Sequence, residues 1–143
     1  TNNVALILGL EEMPVENVSF TNINMKAKGG FEIENAKRLT FNNIQLELSD
    51  QSFMKANNVE QLYITAIQNF TPLAKKSLLV FNEVKEANIQ QNFPVRGTTT
   101  FLALEGEKNQ DIYLDSNNFS NVKEIVTGSS QGVTEMNNIA IKN

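Results

Sequence analysis

The sequence predicts an all-β protein, a right-handed single-stranded parallel β-helix of about six coils, and three observations lead to this fold class. A triplet with apolar residues at its first and third positions recurs six times along the 143 residues, at spacings between 21 and 27 residues. Each period also holds one or two further β-rich runs and no long amphipathic helix. The chain contains 21 asparagines, a residue suited to sharp corners. Repeats of this length predict a stack of coils that share one core.

The recurring triplet is the first element of the repeat. Its six rows are Val18-Ser-Phe20, Leu39-Thr-Phe41, Leu62-Tyr-Ile64, Ala87-Asn-Ile89, Ile112-Tyr-Leu114 and Ile139-Ala-Ile141. The first and third positions are apolar in every row. Because alternate side chains of a strand point to opposite faces, we expect these positions to face the core and the middle column to face solvent.

Two further columns complete the predicted coil. The column before the triplet is Leu6-Ile-Leu8, Phe31-Glu-Ile33, Phe53-Met-Lys55, Leu79-Val-Phe81, Phe101-Leu-Ala103 and Ile125-Val-Thr127, and the column after it runs through Ile23, Ile44 and Ile67. The alternative is a leucine-rich repeat, which has one strand per period, and Leu114–Phe119 would suit that fold. Two or three strands per period favour the β-helix.

Asparagines recur at the expected corners. Asn35, Asn57 or Asn58, and Asn82 follow the second column, whereas Asn22, Asn43 and Asn117 follow the triplet. Asparagine tolerates the left-handed backbone region, so we interpret these residues as a ladder of turns. Sugar binding by the same amides is the alternative interpretation.

Residues 1–143 are expected to form a single domain. The first coil begins with the apolar run VALILGL, and nothing before it would cover its edge. Since a solenoid needs polar caps, we expect end-to-end self-association through this uncapped N-terminal coil. Asn69–Lys76 and Pro94–Thr100 are predicted to be projecting loops, and Gly128–Gly132 a loop before a final strand at Ile139–Lys142.

The composition excludes several kinds of chemistry. The chain has no histidine and no cysteine, so imidazole catalysis, histidine-ligated metals, thiolate sites and disulfides are absent. Asp111 and Asp115 flank a strand roughly 13 Å apart, too far to cooperate, and Glu32 and Glu34 should point to solvent. We therefore predict no catalytic residue, no metal and no cofactor within these residues.

Charge limits the partners. The formal net charge is −4, with only two arginines and no basic stripe, which argues against nucleic acid as a partner. No apolar run approaches transmembrane length, so we expect no membrane partner. Lys75, Lys76 and Arg96 are the cations on the predicted loops, and they are the candidate binding residues for an acidic polysaccharide. Ordinary solvated loop charges are the alternative.

Gly9-Leu-Glu-Glu-Met-Pro-Val-Glu-Asn-Val-Ser-Phe-Thr-Asn-Ile23, followed by Phe31-Glu-Ile-Glu-Asn-Ala36, resembles glycoside hydrolase family 28, the polygalacturonase and rhamnogalacturonase group. The resemblance covers residues 5–65. It implies a right-handed parallel β-helix and metal-free, inverting hydrolysis of pectin. The family's Asn-Thr-Asp, Asp-Asp, His-Gly and Arg-x-Lys motifs do not occur here, so no catalytic residue is carried over.

Two functions follow as hypotheses. The first is the C-terminal β-helix segment of a pectin-type polysaccharide hydrolase, inactive by itself, in a longer chain that is periplasmic or extracellular, where such substrates occur. The second is a non-catalytic β-helix module of a surface or secreted protein that binds carbohydrate or serves as a scaffold. Outward-facing aromatic residues would favour binding, and Tyr63 and Tyr113 share the outward column two coils apart.

Overall fold

The computed structural model describes residues 3–49 and 51–140 of the chain, and these contain strands and no helix. The nine strands are β1 (Asn3–Leu8), β2 (Val15–Ala27), β3 (Gly29–Leu48), β4 (Met54–Asn69), β5 (Leu79–Gln90), β6 (Thr98–Glu105), β7 (Gln110–Asp115), β8 (Val122–Gly128) and β9 (Val133–Met136). Within this part of the chain, no helix could cross a membrane.

The strands wind into a solenoid of about six stacked coils. Coil 1 consists of β1 and β2, which both pair in parallel with β3, the whole of coil 2. Coils 3 and 4 are β4 and β5, coil 5 is β6 with β7, and coil 6 is β8 with β9. All strand ladders are parallel, as predicted. The prediction of an all-β parallel solenoid of about six coils is therefore confirmed.

Each coil presents three faces, which we name from coil 2. Face A contains Phe31–Glu34, face B contains Leu39–Phe41, and face C contains Ile44–Leu48. The triplet register on face B is confirmed for five rows, because Leu39 pairs with Val18 and Leu62, and Ala87 pairs with Ile112. The face C column of Ile23, Ile44 and Ile67 is confirmed as well.

The core is a set of inward columns, one residue per coil. On face B the column Phe20, Phe41, Ile64, Ile89 and Leu114 is continuous, and the last four are fully buried. Phe41 stacks on Phe20 with ring centroids 5.2 Å apart and meets Phe31 of face A edge-on at 5.0 Å. Aromatic rings thus join the faces as well as the coils.

The predicted second column is wrong by one residue in four of its six rows. Phe31 pairs with Ala5 and Met54, so the true triplets of coils 1 and 3 are Ala5-Leu6-Ile7 and Met54-Lys55-Ala56. The others are Leu102-Ala103-Leu104 and Val126-Thr127-Gly128. In coils 3 and 5 the error arises because two consecutive residues are buried where the chain turns onto face A, in Phe53-Met54 and Phe101-Leu102, whereas in coil 1 the outward residues Leu6 and Leu8 are apolar. After such a pair, the alternation of apolar and polar residues does not show which residues of the strand point inward.

The predicted sixth row of face B is also wrong. Ile112 and Leu114 pair with Val133 and Glu135, so the last strand is β9 rather than Ile139–Lys142. Ile139 forms an isolated bridge to Asn118 and is exposed, while residues 141 and 142 lie outside the described residues. The longer loop before the final strand is confirmed, but it leads to β9. Because Glu135 occupies an inward position, β9 lacks the apolar triplet of the other rows, and the sequence pattern does not predict it.

The corners use left-handed residues, as predicted, but fewer of them are asparagine. Asn22, Asn35, Asn43 and Asn58 have φ between 55° and 58°, which confirms their interpretation as turn residues. Asn82 and Asn117 do not have a left-handed backbone. Their chain neighbours Glu83 and Ser116 adopt it instead. The third corner directly precedes the face B triplet, and its left-handed residues are Asn17, Arg38, Gln61, Glu86 and Asp111.

A buried asparagine ladder replaces the isoleucine column in the later coils. The Ile67 amide donates to Asn92 Oδ1 at 2.8 Å, and Asn92 donates through both its backbone N–H and its Nδ2 to Asn117 Oδ1 at 3.0 Å. Asn117 repeats the arrangement by donating to Asn138 Oδ1. Asn92 and Asn117 are 2% and 1% exposed, so the ladder satisfies polar backbone groups inside the solenoid.

The two predicted projecting loops are only partly outside the fold. Leu73 and Pro94 are buried, and Thr98–Thr100 belong to β6. The loops lie on adjacent coils, because the Thr99 amide donates to the Leu73 carbonyl at 3.1 Å.

Candidate functional site

The outer surface of face B carries a cleft between two tyrosines. Tyr63 and Tyr113 occupy the same outward column on coils 3 and 5, with Asn88 of coil 4 between them. A depression of about 460 Å³ is lined by these three residues together with Glu86, Ala87 and Asp111. We call this set of residues the tyrosine cleft. The predicted position of the two tyrosines on one outward column is confirmed.

Strand spacing sets the width of the tyrosine cleft. Adjacent coils lie about 4.8 Å apart, so the two tyrosine positions are separated by roughly 10 Å. Carbon atoms in contact lie about 3.5–4.0 Å apart. A flat ring that contacts an aromatic side chain on each of its two faces therefore needs roughly 7–8 Å between those side chains. Because the Asn88 side chain is shorter than the two tyrosine side chains, it forms the floor of the cleft. A flat ring placed between the tyrosines would contact this floor.

Both tyrosines are available to a ligand. Tyr63 is 43% exposed and Tyr113 is 39% exposed. The residues directly before and after each tyrosine are buried. Asn88 is half-buried, and its Oδ1 atom is covered and lacks a hydrogen-bond partner among the described residues. The cleft therefore combines two exposed aromatic side chains with a half-buried amide between them.

The edge of the tyrosine cleft is acidic. Glu86 and Asp111 take the left-handed corner position on adjacent coils, directly before the triplets that carry Asn88 and Tyr113. Both side chains are exposed, and no lysine or arginine lines the cleft. Carboxylates accept hydrogen bonds from hydroxyl groups but repel another carboxylate. A neutral polyhydroxylated ligand suits this edge, and a uronate does not.

A second depression of about 290 Å³ follows the outside of face A. Its polar column is Glu34, Asn57, Asn82 and Glu105, one residue from each of four coils, and Lys55 lies beside it. Glu32 and Glu34 are exposed, as the sequence predicted. Glu34 and Glu105 are three coils apart, roughly 14 Å, which exceeds the separation of about 6.5–9.5 Å in inverting glycosidases.

Glu86 and Asp111, at the edge of the tyrosine cleft, form a closer pair of carboxylates. Their positions are one coil apart, roughly 5 Å, which is near the spacing of a retaining glycosidase pair. Both groups are exposed at a corner, whereas the acid of such a pair works within an apolar environment. Neither carboxylate is held by a hydrogen bond to a third group in the described structure. The pair therefore supports ligand contact rather than hydrolysis.

The three cations predicted to bind an acidic polysaccharide lie on neighbouring loops. Gly97, beside Arg96, lies against Pro72, and Thr99 Oγ1 donates to the Ala74 carbonyl at 2.9 Å, next to Lys75. Lys75 and Arg96 are exposed and Lys76 is half-buried. Across residues 3–49 and 51–140 none of the three forms a salt bridge, and none lines the two depressions above.

Metal-binding groups are not clustered in the described structure. No set of three or more aspartates and glutamates in that part of the chain could hold a metal ion. Comparison of the chain with protein-family models, curated proteins and solved structures finds no match.

Sequence reasoning missed Glu86 and Asp111 as cleft residues. Each directly precedes a face B triplet, so the alignment that placed Tyr63 and Tyr113 already contained the column. The column was overlooked because its members, which include Arg38 and Gln61, share no chemistry. Their common feature is a left-handed backbone, which only the residue types of Asn17 and Asp111 among them suggest from sequence.

Proposed function

We propose that this chain is a non-catalytic β-solenoid segment of a surface or secreted carbohydrate-active protein, and that its tyrosine cleft binds a neutral sugar unit of a polysaccharide. The observation that carries the proposal is the alignment of Tyr63, Asn88 and Tyr113 on one outward column. Sugar rings present apolar faces to aromatic side chains and hydroxyl groups to amides and carboxylates. The solenoid holds these groups on rigid strands, so little is lost in ordering them.

The experiment is titration calorimetry of the chain with a neutral β-linked galactan or glucan oligosaccharide. Tyr63→Ala and Tyr113→Ala are each expected to weaken binding about 3- to 10-fold, the worth of one aromatic contact. Phe93→Ala is the matched control, because Phe93 is a similarly exposed aromatic residue outside the cleft. Equal binding by all four proteins, or no binding of either neutral glycan by the unmodified chain, would contradict the proposal.

The polygalacturonase-like parent is the second candidate. It is supported by the resemblance over residues 5–65 and by the parallel solenoid that this resemblance implies. In that case the chain is the tail of a periplasmic or extracellular hydrolase, and an acidic pectin-type polysaccharide contacts Lys75, Lys76 and Arg96. The test is retardation of the chain in a gel that contains polygalacturonate.

The two candidates respond to different substitutions. If the acidic polysaccharide binds at the loops, the combined change Lys75→Gln, Lys76→Gln and Arg96→Gln abolishes retardation by polygalacturonate, and added salt weakens it. Tyr63→Ala leaves that retardation unchanged. Retardation that survives loss of all three cations would contradict this second candidate.

A further inference from the structure

The charged groups around the tyrosine cleft are carboxylates. Glu86 and Asp111 line its edge, and the register of β5 and β7 places them on adjacent coils. Asp115 is half-buried two residues beyond Tyr113 on the same strand. Among the described residues that line the cleft there is no lysine or arginine. The cleft therefore attracts cations.

Lysine and arginine side chains near the cleft do not neutralise its edge. Arg38 occupies the same left-handed corner two coils before Glu86, and its guanidinium is paired with Glu16 at 3.4 Å. Lys85 directly precedes Glu86 in the chain but lines a different depression. Within residues 3–49 and 51–140, Glu86 and Asp111 form no salt bridge or side-chain hydrogen bond. Both carboxylates can therefore pair with a charge that a ligand brings.

The two aromatic side chains favour the same sign of ligand charge. The face of a tyrosine ring carries partial negative charge, so it attracts a cation that lies within about 6 Å of the ring centre. Tyr63 and Tyr113 are more than one-third exposed, so a ligand can reach both rings. A cationic group held between them would contact the rings and lie beside the carboxylates of the edge.

The width of the cleft favours a cationic sugar over a basic peptide. The two tyrosine positions are roughly 10 Å apart, which suits a ring that contacts both side chains. The alkyl chain of a lysine is thinner than a sugar ring and would contact only one tyrosine at a time. A sugar ring in this position also brings hydroxyl groups to Glu86 and Asp111, which accept hydrogen bonds.

We propose that the tyrosine cleft prefers sugar units that carry a free, protonated amino group, so that its ligand is a glycan containing hexosamine. This inference rests on the carbohydrate-binding role proposed for the cleft and specifies the sugar. The amino group takes the place of one hydroxyl and pairs with Glu86 or Asp111, while the ring lies between Tyr63 and Tyr113. One exposed ion pair and one exposed cation–π contact together strengthen binding about 3- to 25-fold over a neutral sugar.

Titration calorimetry of the chain with three β-linked tetrasaccharides, of glucosamine, glucose and N-acetylglucosamine, tests this preference. At about pH 5.5 the amino sugar is protonated and free carboxyl groups are largely ionised. The glucosamine oligomer is expected to bind most tightly, and its advantage should shrink as salt is added. If the glucose oligomer binds at least as tightly, the inference fails and the proposed function stands. If none of the three binds, and no galactan binds, both fail.

Two double variants separate the local carboxylates from the net charge. Glu86→Gln with Asp111→Asn keeps the acceptor oxygens and suits the left-handed backbone at position 111. It is expected to weaken binding of the glucosamine oligomer about 2- to 5-fold and to leave that of the glucose oligomer unchanged. Glu12→Gln with Glu107→Gln removes two exposed carboxylates outside the cleft and should change neither. Equal effects of the two double variants would overturn the assignment.

A lysine tetrapeptide, titrated in the same way, distinguishes a basic peptide from a sugar. It is expected to bind more weakly than the glucosamine oligomer, because it does not fill the space between the tyrosines. Tyr63→Ala is expected to weaken binding of the sugar more than binding of the peptide. Tighter binding of the peptide would assign the cleft to a basic partner protein and contradict the proposal.

Discussion

At the scale of single residues, the turns of the solenoid depend on residues with a left-handed backbone. Asparagines supply five of the corner positions after faces A and B, and neighbouring copies bond to each other, as Asn43 Nδ2 does to Asn22 Oδ1 at 2.8 Å. The same column continues on coil 3 as Ala66, at a φ of 54°. Alanine is strained in this region and cannot extend the amide ladder.

Ala66→Asn is therefore expected to stabilise the protein by about 1 kcal/mol, because asparagine tolerates the left-handed backbone and can bond to Asn43. Chemical denaturation followed by circular dichroism measures the change. Ala74→Asn, the same substitution in an exposed loop without a left-handed φ, should leave the free energy of unfolding unchanged. Equal effects at both positions would refute the strain argument.

The buried asparagines perform a different task. Asn117 Oδ1 accepts the Asn92 backbone N–H, and Asn117 Nδ2 donates to the Ile89 carbonyl at 3.0 Å. Asn117→Leu keeps a similar volume but leaves these groups unsatisfied in the core. We expect a loss of about 2–4 kcal/mol in the free energy of unfolding.

Asn57→Ala is the matched control for the ladder. Asn57 lies outward on face A and is exposed, so its loss should change the free energy of unfolding by less than about 0.5 kcal/mol. If Asn117→Leu unfolds at the same denaturant concentration as the unmodified chain, the ladder contributes nothing to stability.

At the scale of elements, the start of face A decides the register. Phe53-Met54, Leu78-Leu79 and Phe101-Leu102 place two buried residues in succession at this corner. In coil 2 the corresponding residue is Gly30, which has an ordinary negative φ. Its lack of a side chain lets the Phe53 carbonyl approach, and that carbonyl accepts the Phe31 amide at 2.8 Å.

Gly30→Ala is expected to destabilise the protein by about 1–3 kcal/mol, because its Cβ would overlap the Phe53 carbonyl. Thermal unfolding measures the effect. Gly132→Ala would meet the Asn109 carbonyl at 2.6 Å, but in a loop of the last coil where the backbone can shift. A larger loss of stability for Gly132→Ala than for Gly30→Ala would contradict the argument that the close approach of the Phe53 carbonyl restricts position 30 to glycine.

At the scale of the molecule, each inner coil is stabilised chiefly by its two neighbours, so a coil with one neighbour among the described residues should open first. Core residues of coils 2 to 5 are buried, whereas Val122, Ile125, Val126 and Val133 of coil 6 are only partly buried. The four salt bridges between coils in the described residues, such as Lys37–Glu60 at 3.6 Å, are exposed and contribute little.

Amide hydrogen exchange is therefore expected to be fastest in β9 and slowest in β4 and β5. Uniform exchange along the chain would contradict nearest-neighbour stabilisation.

The sequence by itself determined the solenoid, the face B register of five rows and the outward position of the tyrosines, because strand alternation and the spacing of the repeat are local properties. It could not determine the phase of face A, where buried pairs such as Phe53-Met54 break the alternation, or the last strand, where Glu135 occupies an inward position. Only the tertiary structure placed Glu86 and Asp111 at the cleft and joined Asn92 to Asn117. The repeat of 25 residues already placed both pairs one coil apart, but the left-handed backbone at Glu86 and Asp111 and the burial of Asn92 and Asn117 arise only in the packed coils.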